Sequence, residues 1–338
     1  MKSPTLAQLR RQLTGLGAKP AHLERILRLW LRAKPLDTPF RKAAAATFFP
    51  ASLLGALPAF AARLADLARV HAEFPAEDGA CRLLLRLLDG QRVESVLLPG
   101  EGVCVSTQAG CAVGCAFCAT GRHGLARQLL DSEILAQVAL ARARRSVKRV
   151  VFMGMGEPAH NLDNVFSAIR LLGLQGGFGH KRMVVSSVGG PRLFERLAAE
   201  IVHPALALSL HSADPDRRAA LLPNAPPMTP EALVAAGEAY AHLCGHPIQY
   251  QWTVLAGIND GDDEVAGIIR LLRGKHAMMN LIAYNPPAAR DSDCAPCGED
   301  RIVEMTRRLN RAGILTRIRR SAGRMADGGC GQLWARTT

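Results

Sequence analysis

The sequence predicts an α/β protein, a partial (β/α) barrel with a small helical N-terminal domain and a β-hairpin extension, and three observations predict it. Apolar residues recur at helical spacing through the first seventy-odd positions. Two strand-like runs then meet at Asp89-Gly90, a common hairpin turn. Beyond residue 147, short apolar runs alternate regularly with helical stretches, the pattern of a parallel sheet carrying helices on its outer face.

Each element has its own warrant. Leu6, Leu9 and Leu13, then Leu23, Ile26, Leu27, Leu29 and Trp30, then Leu53, Leu54 and Leu57 fall on helical faces, with Pro20, Pro35 and Pro50 as punctuation. They predict a helical accessory domain over residues 1–75. Runs 82–88 and 92–98 predict the hairpin within a 76–99 linker. Residues 100–338 form the predicted core, with strands at 147–153, 183–188, 205–210, 249–255, 279–284 and 316–319. Helices are expected between them, such as 132–144, 164–172, 193–199, 230–243 and 299–312. In such folds chemistry sits at the C-terminal ends of the strands. There this chain places Gly154-Met-Gly-Glu-Pro158, Ser186-Ser187, Ser209-Leu210-His211 and Asn285-Pro-Pro287.

Composition narrows the function classes. A chain of 338 residues with 49% hydrophobic residues can bury one large core. Its apolar runs at 53–62 and 201–210 are too short to span a bilayer, and no secretory signal is visible, so a cytoplasmic protein is expected. The 42 Lys and Arg against 29 Asp and Glu leave a net charge of +13, which points to a polyanionic partner, most simply nucleic acid. Nine cysteines without an export signal should be reduced, ligating or reactive rather than a disulfide framework. Cys81 and Cys244 lie in apolar stretches and read as buried, inert thiols.

The most informative local pattern is Cys111-Ala-Val-Gly-Cys115-Ala-Phe-Cys118. A C-x3-C-x2-C loop can hold three irons of a 4Fe-4S cluster and leave the fourth open to a small molecule, for which S-adenosylmethionine is the usual candidate. The plainer reading is zinc, with Cys104 or His123 as fourth ligand. Gly156 would let the backbone approach a charged ligand, and Glu157 would accept from an ammonium group. Ser186, Ser209, His211 and Asn285 are then placed to bond the carboxylate and ribose hydroxyls of the same cofactor. Cys294-Ala-Pro-Cys297 is a second C-x2-C, but no further ligands can be nominated for it, and it reads as paired loop thiols.

Taken together, the cysteine loop within Cys104-Val-Ser-Thr-Gln-Ala-Gly-Cys111, Met153-Gly-Met-Gly-Glu-Pro158 and Cys330-Gly-Gln-Leu333 resemble, in matching order over residues 80–334, the RlmN/Cfr family of radical S-adenosylmethionine RNA methyltransferases. The resemblance implies a radical-type partial barrel and methylation of an adenine ring carbon, carbon 2 rather than carbon 8, in 23S ribosomal RNA or transfer RNA. It implies that Cys111, Cys115 and Cys118 hold the cluster and that Cys330 carries the methyl group as S-methylcysteine. It further implies Glu94 as proton acceptor and Cys104 as the thiol that resolves the RNA adduct through a transient disulfide with Cys330. An external electron donor and a monomeric enzyme belong to the same expectation. Read on strand alternation alone, Glu94 is a surface carboxylate, and Cys330 is a free thiol in a flexible Gly-rich run. The stretch Ser321-Ala-Gly-Arg-Met-Ala-Asp327 departs from the family's more acidic approach to that cysteine, as in a divergent paralogue. Two rivals remain at this point: a radical enzyme with a non-RNA substrate, which gives Cys104 and Cys330 no task, and a non-catalytic RNA-binding protein with a structural metal.

Overall fold

The structure, a computed structural model, describes residues 3–39, 45–122, 124–286 and 294–335. Its N-terminal helices are α1 (Leu6–Gly15), α2 (Pro20–Leu31), α3 (Ala45–Phe48) and α4 (Ala51–Asp66). Thr5 caps α1 in a reciprocal box with Gln8, and Pro20 opens α2, where a missing N–H is no loss. An antiparallel meander follows: β1 (Ala68–Pro75), β2 (Cys81–Leu87), β3 (Arg92–Leu98) and β4 (Gly102–Cys104). Residues 68–75, expected within the helical segment, therefore form a strand; the alternation of buried and exposed side chains along Ala68–Pro75 is a period of two that a helical reading misses. The hairpin is the second arm of this meander.

A two-stranded ribbon, β5 (Gln108–Gly110) with β6 (Leu125–Gln128), then frames the cysteine loop as its connection. The remaining elements alternate as α5 (Asp131–Arg144), β7 (Arg149–Phe152), α6 (Leu162–Leu174), β8 (Met183–Ser187), α7 (Pro191–Ala199), β9 (Ala205–Ser209), α8 (Pro215–Leu221), α9 (Pro230–Cys244), β10 (Ile248–Val254), α10 (Asp262–Leu272), β11 (Ala277–Ala283), α11 (Glu299–Arg311) and β12 (Thr316–Arg319). Among them, α5 is buried on almost every face, because the N-terminal helices cover its outer side. Its buried acids are accordingly paired: Ser3 donates to Glu133, Arg127 bridges Glu133, and the Leu6 N–H donates to Asp131. The helical segment shares one continuous hydrophobic core with the sheet.

All ten principal strands form one sheet in the order β1-β2-β3-β4-β7-β8-β9-β10-β11-β12, parallel from β4 onward. The sheet is strongly curled. Strands β7 and β12 are five intervals apart, about 24 Å on a flat sheet, yet Arg319 at the end of β12 reaches Met153, just past β7, at 3.5 Å. Such a chord is possible only across the mouth of an open barrel. The C-terminal residues close the gap beside it: the Gly323 N–H donates to Asp78, and the Trp334 N–H to Glu94. Among the described residues no helix is long and apolar enough to cross a membrane.

Candidate active site

The C-terminal ends of the parallel strands surround a cavity of about 160 Å³. Cys111, Cys115 and Cys118 line it, together with Gly156, Glu157, Ser186, Ser209, His211, Asn285 and Cys330. The chain thus brings together most of the residues singled out from sequence. Among the residues expected to hold the cofactor Leu210 is the exception: its side chain is fully buried in the core and does not line the cavity, and neither Glu94 nor Cys104 lines it. Side chains alternate along β9, so Ser209 facing the cavity turns Leu210 away from it.

The cysteine loop is ordered by aromatic and backbone contacts. Phe117 lies against the His211 ring at 4.6 Å between centroids. His211 adopts φ +58°, and its Nδ1 accepts from the Thr253 N–H. Burial, reinforced by Arg218, pushes the imidazole down to about 3, so it is a neutral acceptor rather than a cation. Burial pushes the Cys111 thiol up to about 12 and raises Cys115 and Cys118 as well. Thiols raised in this way become thiolates when a cation binds them.

Among the described residues, no group of three or more His, Cys, Asp or Glu side chains could hold a metal ion. A closed zinc tetrahedron needs that convergence; a cubane does not, because each thiolate meets a different iron. The trio therefore fits a cluster better than zinc with Cys104, which lines a different cavity. His123, the other nominated zinc ligand, lies outside the described residues, as does Pro287.

Glu157 is buried, and its carboxylate accepts from the Ser187 hydroxyl and from the Ala159 and Val188 N–H groups. Burial outweighs those donors and lifts it to about 7. With three acceptor sites used, one is left for an ammonium group. Gly156 is also required by the chain itself: at φ +103° a Cβ there would stand 2.5 Å from the Cβ of Gln108. Sequence reasoning missed Gln251, Thr253 and Arg319, which also line the cavity. Two polar residues at period two inside the apolar β10 were the available signal for the first two. Arg319 donates to Gln251 Oε1 at 3.1 Å.

Cys330 borders this cavity and a second one of about 250 Å³, which it shares with Cys104, Arg149, Arg319 and Arg320. Burial, and then the neighbouring Cys330, push Cys104 up to about 12. The Gly-rich run around Cys330 is held, not loose. Gly331 O accepts from the Ala119 N–H at 2.7 Å, Leu333 O accepts from the Thr120 hydroxyl at 2.7 Å, and Asn285 donates to Cys330 O at 3.4 Å. All nine cysteines are free, so the expected Cys104–Cys330 disulfide is not a bond of this structure. Cys81 and Cys244 are half-buried rather than buried, and Cys297 lies 3.4 Å from Asp260. Glu94 is no surface carboxylate: it is fully buried and paired with Arg82.

A three-cysteine loop over the strand ends of an open (β/α) barrel, beside a polar pocket, defines a radical S-adenosylmethionine enzyme. The Radical SAM superfamily signature matches residues 105–272. A probable RNA methyltransferase of Pseudomonas paraeruginosa is 58% identical over 330 residues, 97% of this chain and 94% of that protein. A probable RNA methyltransferase of Thiobacillus denitrificans is 58% identical over 98% of this chain and 90% of its own length. The crystal structure of a radical SAM methyltransferase from Sphaerobacter thermophilus matches with a TM-score of 0.84 at 34% identity, covering 99% of this chain and 98% of that one. The chain belongs to the radical SAM superfamily and, within it, to the RlmN/Cfr-like family of methyltransferases.

Proposed function

We propose that this protein methylates an adenine ring carbon, carbon 2 rather than carbon 8, in 23S ribosomal RNA or transfer RNA, with Cys330 carrying the methyl group in transit. The observation that carries the reading is that Cys330 borders both cavities, the one lined by the three cysteines and the one lined by Cys104. A relay thiol needs that position and an ordinary free thiol does not. Cys111, Cys115 and Cys118 are the cluster ligands, and Gly156, Glu157, Ser186, Ser209, His211 and Asn285 the groups that hold S-adenosylmethionine. When bound, the cluster would supply the electron that cleaves S-adenosylmethionine to a carbon radical, chemistry no side chain offers.

The chain's own groups do the rest. Glu157 offers a buried acceptor to the amino group of S-adenosylmethionine, and neutral His211 keeps its Nδ1 on Thr253 while its ring steadies Phe117. Arg149 and Arg320 at the rim of the second cavity face incoming phosphates. The adenine must be unstacked to enter, at a cost of a few kcal/mol that such contacts offset. Glu94 takes the ring proton, and Cys104, next to Cys330, frees the methylated base from the carrier. The N-terminal helices supply further RNA contact, an external donor reduces the cluster, and the protein works as a cytoplasmic monomer.

Nucleoside mass spectrometry of ribosomal and transfer RNA from cells with and without the gene tests the reading. Loss of 2-methyladenosine on deletion, restored by the wild-type gene but not by Cys330→Ala, is the expected result. Restoration by Cys330→Ala would overturn the relay, and loss of 8-methyladenosine instead would move the attack to carbon 8.

A further inference from the structure

The chain around Cys330 is anchored at two points by one buried ion pair, Arg82–Glu94, whose arginine has no part in the proposed reaction. Arg82 on β2 and Glu94 on β3 sit diagonally on one face of the hairpin, with Leu84 opposite Glu94 in register. Their side chains are 6% and 0% exposed. Arg82 Nη1 donates to Glu94 Oε1, and Arg82 Nε donates to Ala326 O at 2.7 Å. Glu94 Oε2 accepts from the Trp334 N–H at 2.8 Å. Ala326 and Trp334 stand four residues before and four after Cys330. Gly328 lies between the anchors, where a Cβ would come to 3.4 Å from the Arg82 Cβ. The guanidinium is closed off from outside by the Phe74 ring, 3.9 Å away.

We infer that Arg82 is a positioning residue: through its paired contacts with Glu94 and Ala326 it latches both ends of the Cys330 loop to the β2–β3 hairpin and sets the thiol between the two cavities. The latch matters for catalysis on the reading of Cys330 as methyl carrier, but its structural consequence stands apart from that reading. Neither half works alone. Removing Arg82 leaves a buried carboxylate without its cation, and that carboxylate then draws in water and lets go of the Trp334 N–H. Lysine keeps the charge for Glu94 but cannot also reach Ala326 as a planar fork does.

The test is the iodoacetamide reaction rate of Cys330 in the full-length, metal-free protein, mapped by peptide mass, with half-buried Cys244 as the internal reference for the fold. Arg82→Gln should raise the Cys330 rate about tenfold or more and leave Cys244 unchanged, and Arg82→Lys should return it most of the way. Trp334→Pro, which removes the N–H donor at the far end of the loop together with the indole, should also raise it. An unchanged Cys330 rate in both Arg82→Gln and Trp334→Pro overturns the latch. Should Arg82→Gln speed Cys244 as well, its fold is lost and Trp334→Pro decides. In the reconstituted protein, Arg82→Gln should lower methyl occupancy of Cys330 while KM for S-adenosylmethionine stays within about twofold, with rescue by lysine. If wild-type Cys330 takes no methyl while the alkylation rates behave as stated, the carrier reading fails and the latch remains.

Discussion

Gly156→Ala should destabilise the protein with no cofactor present. The glycine has φ +103°, and an added Cβ would lie 2.5 Å from the Gln108 Cβ and 2.7 Å from its backbone nitrogen. Gln108 has nowhere to go: its N–H donates to Met155 O, its Oε1 accepts from the Glu157 N–H at 2.7 Å, and its Nε2 donates to Gln128 at 2.9 Å. A side chain at positive φ costs about 1–2 kcal/mol, and forcing carbon into a packed contact costs about 1–3 kcal/mol more. The sum is about 2–5 kcal/mol, or a urea midpoint lowered by about 1 M for a chain of this size. Gly313→Ala is the control, since Gly313 has φ +84° but open space where the Cβ would go. It should cost only about 1–2 kcal/mol. Equal midpoints for the two variants of the metal-free protein would refute the packing argument.

Three further outcomes are expected. His211 is held neutral with its pKa near 3 against 6.5 when free, so the unfolded chain takes up a proton first as pH falls. The His211 contribution is then full above about pH 6.5 and drops by about 2.7 kcal/mol at pH 4.5; Glu157, lifted to about 7, works in the opposite sense over the same range, so the difference in urea midpoint between wild type and His211→Gln, read across that range, is the quantity that should fall as pH falls. Anaerobically reconstituted protein should be brown with about four irons per chain, and Cys115→Ser should lose nearly all of them by colorimetric iron assay; a colourless wild type holding one zinc would sink the cluster assignment. Cys104, pushed up to about 12, should react with iodoacetamide about a thousandfold more slowly than an exposed cysteine at pH 8, with a rate rising about tenfold per pH unit.

The βα half of the fold was legible because most of its strands are buried and largely apolar, while its helices carry an apolar stripe. Thr316–Arg319 was placed to the residue, and β7 to β11 to within two. The segment Ala68–Pro75 escaped because it follows α4 without a break and its apolar residues are too sparse to stand out from a helical face. Short β4, β5 and β6 escaped for another reason: three or four residues hold no periodicity, and their strand character is imposed by partners far along the chain. At the site, residues on strand ends were found because polar groups there interrupt apolar runs. The environment of Glu94 could not be found that way. Its burial depends on Trp334 and Ala326 folding back over the hairpin from some 240 positions away, and no local pattern carries such a contact.

That return contact changes what the N-terminal meander is for. A hairpin ahead of a barrel reads as a linker, and a Gly-rich tail reads as a flexible carrier. In the folded chain each supplies what the other lacks. The meander continues the sheet from β4, yet the curl leaves an open flank between β2–β3 and β12, and the tail fills it by donating Trp334 N–H and Gly323 N–H to acids of the meander. Thr120 and Ala119, directly after the last cysteine of the loop, hold the other side of the same tail. Cys330 is thus fixed by a hairpin preceding the cysteine loop and by the loop itself, so that its position is set by two rigid neighbours although its own sequence is glycine-rich. A thiol proposed to serve two cavities in turn needs short reach from a defined place, and a tail pinned on both sides of Cys330 provides that where a free one would not.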